Sequence, residues 1–347
     1  MKLKWALIII VVLITSMLMN TLYVAGTFKT LHPHLEGSLQ MMYNQMPGPE
    51  DMDADYENGL LFISSTDRWK NMKGESGDGA IWLLKLESSA EPARLMNTYS
   101  GEFNPHGISL LKKDSNTWLF AVNHNASGNY VERFSYRNDT LFHEKTFAGS
   151  EMCCPNDVSA VDPDRFYVTN DHGLPKGFMR TLEDYLLLPF SSLLYFDGTS
   201  FATVVKGLHY GNGVNVSKDG TTLFLAETTG RDIQVLRRDP QTGQLVQRYE
   251  IDLETGVDNI HIDDEDQLWV AAHPKMLAFA GHAKDPQKKS PSQVLKLMQS
   301  VDGYSITEVY LDDGHQLSGS SVAVPYKGDL FIGVVFENKV LRLGLKR

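Results

Sequence analysis

The feature that most constrains the fold is a pattern that returns six times at a spacing of about fifty residues. Each copy carries a polar pair, an alternating apolar strand, an Asp/Asn/Gly turn, a second apolar strand and a closing polar residue. The copies are PEDMDADYENGLLFISS from Pro49, NPHGISLLKKDSNTWLFAVNH from Asn104, PNDVSAVDPDRFYVTNDH from Pro155, NGVNVSKDGTTLFLAET from Asn212, VDNIHIDDEDQLWVAAHP from Val257 and SGSSVAVPYKGDLFIGVVF from Ser318. A repeat of this length with several strands per unit is the signature of a propeller blade. Six copies predict an all-β, six-bladed β-propeller. The turns Glu57-Asn58-Gly59, Lys218-Asp219-Gly220 and Lys327-Gly328-Asp329 supply the positive-φ residues of tight hairpins. A β-sandwich, the competing all-β architecture, gives no reason for one polar pair to precede one hairpin six times.

In a propeller the innermost strands converge on one axis, so the recurring polar positions should meet there. They are Glu50 and Asp51, His106, Asn156 and Asp157, Asn212, and Asp258 with Asn259. Singly, an Asn or Asp ahead of a strand is a turn or cap residue. Together at one blade phase they form a set of hard oxygen donors, which suits calcium better than zinc. Glu50 and Asp258 would neutralise a divalent ion, and the amides of Asn156, Asn212 and Asn259 would leave room for water or substrate. A central calcium-binding tunnel is the expectation.

Residues 1–27 read differently. Lys2 and Lys4 precede WALIIIVVLITSMLM, and no charged side chain occurs from Trp5 to Phe28. This is a cleaved signal peptide or an uncleaved apolar helix with its lysines on the cytoplasmic side. The anchor is preferred, because the stretch is long enough to span and Val24-Ala25-Gly26 is a poor cleavage site. Either way residues 28–347, read as one catalytic propeller domain, lie on the extracytoplasmic side, extracellular or periplasmic, or are secreted if the segment is cleaved. The anchor should be separable from catalysis, since the propeller lies beyond it. A formal charge of −11 and the lack of a basic stripe exclude nucleic acid as a partner. The two cysteines, Cys153 and Cys154, are adjacent; they read as buried thiols, since ordinary disulfides need wider Cα separations. Asn125, Asn138 and Asn215 open glycosylation sequons.

The motifs PEDMD, LLFISS, FNPHGIS, VNH, PNDVSAV, FYVTNDH, GNGVNVSKDG, VDNIHID and YKGDLFIGVVF closely resemble those of the paraoxonases, the arylesterase/lactonase family, in the same order over nearly the whole exported chain. The resemblance implies two calcium ions in the tunnel. The catalytic ion's ligands would be Glu50, Asn156, Asn212, Asp258 and Asn259; a deeper structural ion would use Asp51, Asp157 and the backbone carbonyl of Ile108. It also implies a histidine dyad, His106 and His124, with Asp171 and His172 nearby. Animal members tie their terminal strands with a disulfide. No cysteine lies near either end here, so closure must rest on pairing between the segment after residue 28 and the last blade.

The implied activity is calcium-dependent hydrolysis of lipophilic lactones and aryl esters, with calcium as Lewis acid and a His106–His124 base. A carboxylate, Glu50 or Asp258, is the competing base. No G-x-S-x-G elbow supports a serine hydrolase. The alternatives are a gluconolactonase-like sugar lactonase and a non-catalytic, calcium-stabilised binding propeller. Residues 173–193 have helix-like apolar spacing, with Phe178, Leu182, Tyr185, Leu186 and Leu188 on one face. They lie between strands of the third and fourth copies and read as a rim lid or an amphipathic helix touching membrane. Residues 281–293 read as a solvated loop.

Overall fold

Each repeat closes on itself as a small sheet before the chain moves to the next. The computed structural model describes residues 2–88, 90–301 and 303–346; Met1 and Arg347, at the ends of the two expected segments, lie outside them, as do Ser89 and Asp302. Six sheets form among the described residues, giving the six-bladed propeller. Blade one runs from the inside outward as Pro49–Asp55, Leu60–Ser65, Ala80–Lys85 and Ala93–Arg94, and blade three as Pro155–Asp162, Arg165–Asn170, Ser191–Phe196 and Phe201–Leu208. The innermost strands of blades two, four, five and six are Pro105–Lys113, Gly211–Val216, Gly256–Ile262 and Ser320–Tyr326.

The ring closes without a disulfide. Gly37–Tyr43 pairs antiparallel with Val340–Leu345 as the outer strand of blade six, and His34–Leu35 adds to the outer edge of blade five. The blades are held by apolar side chains between adjacent sheets: Leu61, Ile63 and Leu84 of blade one pack against Val322, Val324 and Phe331 of blade six. Hairpins turn on the residues expected, Gly59 at φ 62° and Gly220 at φ 73°, where a side chain would be strained.

Among the described residues there are four helices: α1 (Lys2–Val24), which precedes the sheets, and α2 (Arg68–Met72), α3 (Phe178–Leu186) and α4 (Met276–Lys284), which interrupt them. The last three all join the second and third strands of a blade. They therefore share one face of the propeller, the face at which the innermost strands begin. Helix α1 is long and apolar enough to cross a membrane. Helix α3 lies after the third copy's hairpin, between the second and third strands of blade three, and Leu188 falls beyond it because Leu187 ends the helix with φ 53°. Its apolar side chains are left exposed, Phe178 at 75% and Tyr185 at 47%, while Glu183 is buried. Of the expected solvated loop, residues 281–284 are the end of α4 and Lys288 and Lys289 are exposed, while His282, Ser290 and Ser292 are buried.

Two other expectations change. Cys154 is buried but Cys153 is exposed, and both are free, because Cys153 sits on the connection into blade three. Asn215 lies in an innermost strand and donates to the Ile260 carbonyl of blade five at 3.1 Å. That is an inter-blade tie, which no glycan could share.

Candidate active site

The polar pairs reach the axis because each innermost strand breaks register where they sit. In all six blades the ladder to the second strand shifts at this point: past Glu50, past His106 and Gly107, past Asn156 and Asp157, past Asn212 and Gly213, past Asp258 and Asn259, and past Ser321. A bulge re-aims side chains that a regular strand would send to either face. Glycine is needed beside two of them. A Cβ on Gly107 would meet Asp157 Oδ1 at 2.4 Å, and one on Gly213 would meet the Asn259 Cα at 2.7 Å.

The upper ring consists of Glu50, Asn156, Asn212, Asp258 and Asn259, all buried. The Asn259 amide donates to Glu50 Oε1 at 3.0 Å, Arg68 Nη2 lies 3.4 Å from Glu50 Oε2, and His106 Nε2 lies 3.6 Å from the same oxygen. Burial opposes the Glu50 charge, but His106, Arg68 and Asn259 outweigh it and pull the carboxyl down to about 2. His273 Nε2 is 2.8 Å from Asp258 Oδ2, and its ring stacks on Phe279 at 3.8 Å. Burial raises the Asp258 carboxyl, with the His273 bond acting against it. The Asn212 amide nitrogen donates to Thr228 Oγ1 at 3.0 Å.

Three buried oxygens of this ring, Asn156 Oδ1, Asn212 Oδ1 and Asn259 Oδ1, have no hydrogen-bond partner. A buried, unsatisfied amide oxygen costs about 1–3 kcal/mol. Three of them beside two carboxylates are a donor set that a hard cation would satisfy. Among the described residues no three His, Cys, Asp or Glu side chains gather as a metal-ligating group; the donors that meet here are mostly amides.

The lower ring is different. Asp51 Oδ2 accepts from the Ile108 N–H of blade two at 2.6 Å, and Asp157 Oδ2 accepts from the Val214 N–H of blade four at 2.7 Å. Their other oxygens accept from the next residue along, Met52 at 2.8 Å and Val158 at 2.7 Å. Each carboxylate thus stitches its innermost strand to the neighbouring one. Burial, then repulsion from Asp157 and Glu50, pushes the Asp51 carboxyl well up; burial does the same to Asp157, against its two backbone bonds.

His106 Nδ1 and His124 Nε2 are 3.0 Å apart, and His124 Nδ1 is 2.7 Å from Asn129 Oδ1. Burial and the neighbouring His106 hold the His124 imidazole down to about 4. The dyad is therefore a hydrogen-bonded pair whose inner member is fixed from behind. His172 sits between Asp171 at 2.7 Å and Asp184 of α3 at 2.8 Å; burial disfavours its cation, but the two carboxylates raise it to about 9. A cavity of about 490 Å³ opens over the upper ring, bounded by Glu50, His106, Asn212, His172, Tyr210 and Phe279.

The sequence reading missed Arg68, Asn129 and His273. His273 was findable: it closes the second strand of blade five, the repeat position next to which His124 stands in blade two. Arg68 lies in helix α2, an insertion between the second and third strands of blade one, and Asn129 lies at the start of the third strand of blade two, outside the repeated motif; neither carries such a signal.

A family model described as Arylesterase matches residues 42–342. The chain is 34% identical over 301 residues to serum paraoxonase/arylesterase 2 of Gallus gallus, covering 84% of each chain. It is 33% identical over 303 residues to serum paraoxonase/arylesterase 1 of Homo sapiens, again over 84% of each. A solved gluconolactonase from Xanthomonas campestris superposes with a TM-score of 0.54 at 15% identity, covering 92% of this chain and 99% of that one; at that identity the likeness is one of fold alone. The chain belongs to the arylesterase family.

Proposed function

We propose that the protein hydrolyses lipophilic lactones and aryl esters at the upper ring, with calcium as cofactor and two ions in the tunnel. The observation that carries this reading is the trio of unpartnered amide oxygens on Asn156, Asn212 and Asn259, the first two lining the same cavity as Glu50, Asp258 and His106 and the third on a side chain bonded to Glu50. Those five ring residues would hold the catalytic ion. Asp51, Asp157 and the Ile108 carbonyl would hold the structural one. When bound, the upper ion supplies Lewis acidity at the substrate carbonyl oxygen and stabilises the negative charge that develops there.

The chain's own residues supply the rest. His106 faces the cavity and is the general base that takes a proton from the attacking water. His124, neutral near pH 7, shares that proton through its 3.0 Å contact, and Asn129 fixes its ring. Arg68 keeps Glu50 ionised and therefore available as a ligand. Phe279, Leu187 and Tyr185 give the cavity an apolar wall, which suits a lipophilic acyl chain or aryl group better than a sugar lactone. Helix α1 anchors the propeller on the extracytoplasmic side, and the exposed apolar residues of α3 rest on the same membrane surface.

Steady-state rates on aliphatic lactones, aryl esters and phosphotriesters, with calcium and with a chelator, test the reading. Lactone and aryl ester turnover that vanishes with chelator and returns with calcium is expected. Turnover indifferent to chelation would contradict it, and preference for a sugar lactone with zinc or manganese would favour the gluconolactonase-like alternative.

A further inference from the structure

The membrane helix does not simply end before the catalytic domain begins. Along most of α1 the side chains are exposed, from Leu3 at 84% to Met19 at 49%. Its last turn is built into the propeller. Thr21 is buried and its hydroxyl donates to the Tyr185 carbonyl of α3 at 2.7 Å. The Ala25 carbonyl accepts from the Met276 N–H at the start of α4 at 3.0 Å. The chain then turns at Gly26, φ 67°, where a Cβ would lie 2.1 Å from the Pro274 carbonyl oxygen, so no side chain fits. Beyond it Lys29 donates to the Glu254 carbonyl, and the Arg231 guanidinium stands 5.2 Å from the Tyr23 ring.

This turn borders the cavity that contains the upper ring. Thr21, Val24 and Ala25 line the same space as Glu50, His106 and Asp258. A helix of 23 residues is about 35 Å long, slightly more than the roughly 30 Å of a bilayer's hydrocarbon core. The last turn therefore falls at the lipid–water boundary, and the cavity it borders opens there. A substrate whose carbonyl sits at the upper ring can extend its tail past Val24 and along α1 into lipid without crossing bulk water.

We propose that the last turn of the anchor, Thr21–Ala25, is a wall of the substrate cavity that selects lactones and esters with aliphatic tails partitioned in the bilayer. This rests on the hydrolase reading above, and it departs from the separability of anchor and catalysis expected from the sequence. Val24 is the position that meets the tail. Removing or filling its side chain changes the room beside the helix and leaves the calcium ligands and the dyad in place.

The test uses the full chain in phosphatidylcholine vesicles, with lactones differing only in aliphatic tail length. Val24→Trp is expected to lower kcat/KM for the longest tail about tenfold, through KM, while the shortest lactone changes less than about twofold; filling a pocket by a few methylenes has effects of this size. Val24→Ala, which cannot clash, should shift preference the other way. Leu13→Trp, in the exposed part of α1, should change neither. If Val24→Trp and Val24→Ala kept the wild-type melting temperature and the wild-type ratio between long and short tails, the wall would be refuted. A mature chain beginning beyond Ala25 would refute it too. A wild-type protein inactive on every lactone and ester would instead refute the hydrolase reading.

Discussion

The two rings of the tunnel are one residue apart in sequence and opposite in character. Glu50 and Asn156 belong to the upper ring, where amide oxygens lack partners and the cavity is adjacent. Asp51 and Asp157 belong to the lower ring, where every carboxylate oxygen accepts a backbone N–H and one oxygen of each joins two blades. The difference teaches how one bulged strand serves two ends. The bulge turns one neighbour toward substrate and leaves the next to fasten the ring. On the proposed function, chemistry belongs to the upper set and cohesion to the lower.

The largest effect should come from breaking the lower ring. Asp157→Asn or Asp51→Asn replaces a carboxylate oxygen that holds a neighbouring strand with a group that cannot accept in the same way. Breaking a buried charged arrangement costs about 3–5 kcal/mol, enough to lower Tm on the order of 10 °C or to prevent folding. Thermal melts in calcium check this. Asn212→Ala or Glu50→Gln should invert the pattern, with lactone kcat falling about 100-fold or more and Tm moving only a few degrees. A smaller but still large loss, about 100-fold, is expected for His106→Gln with calcium still bound; an unchanged rate there would move the base role to Glu50 or Asp258.

The smallest effect sharpens the comparison at the rim. A folded-state pKa raised from about 6.5 to about 9 at His172 contributes stability that is complete below about pH 6.5 and is lost as pH rises through about 9. The groups around it are Asp171, Asp184, Tyr210 and Arg180. Hydrogen-exchange protection of residues 178–186, corrected for intrinsic rates, should fall between about pH 7 and pH 10. Asp184→Asn should lower it already at neutral pH and flatten the dependence. Protection that stayed constant across this range would remove the His172 contact from what holds α3.

The repeat made the architecture legible. A hairpin repeated six times predicted the blade count, and polar residues at one phase in five of the copies predicted the residues on the axis, because strand period and turn chemistry act locally. What escaped lies where the repeat gives no guidance. Arg68 sits in an insertion, so only the folded chain brings it to Glu50, and Asn129 meets His124 across the hairpin between the second and third strands of blade two, which the repeated motif does not contain. Helix α3 was visible as apolar spacing, but its place inside blade three was not, since an insertion between second and third strands looks like a linker in sequence. The bulges were also hidden. A regular strand would send neighbours to opposite faces, and the register shifts that re-aim them leave no mark in the repeat. The last turn of α1 was read only as the end of a hydrophobic stretch, since its contacts to α3 and α4 join residues more than a hundred positions apart.

The most direct test of the division between rings is calcium titration by calorimetry on Glu50→Gln and Asp157→Asn, each paired with a melting curve and a lactone rate. Wild-type protein should bind two ions. Glu50→Gln should keep the tighter one and most of its Tm while losing turnover, and Asp157→Asn should lose Tm first, with turnover lost only as the fold fails. The same mixture of lost binding, lost stability and lost rate in both variants would contradict the assignment of sequence neighbours to separate ions.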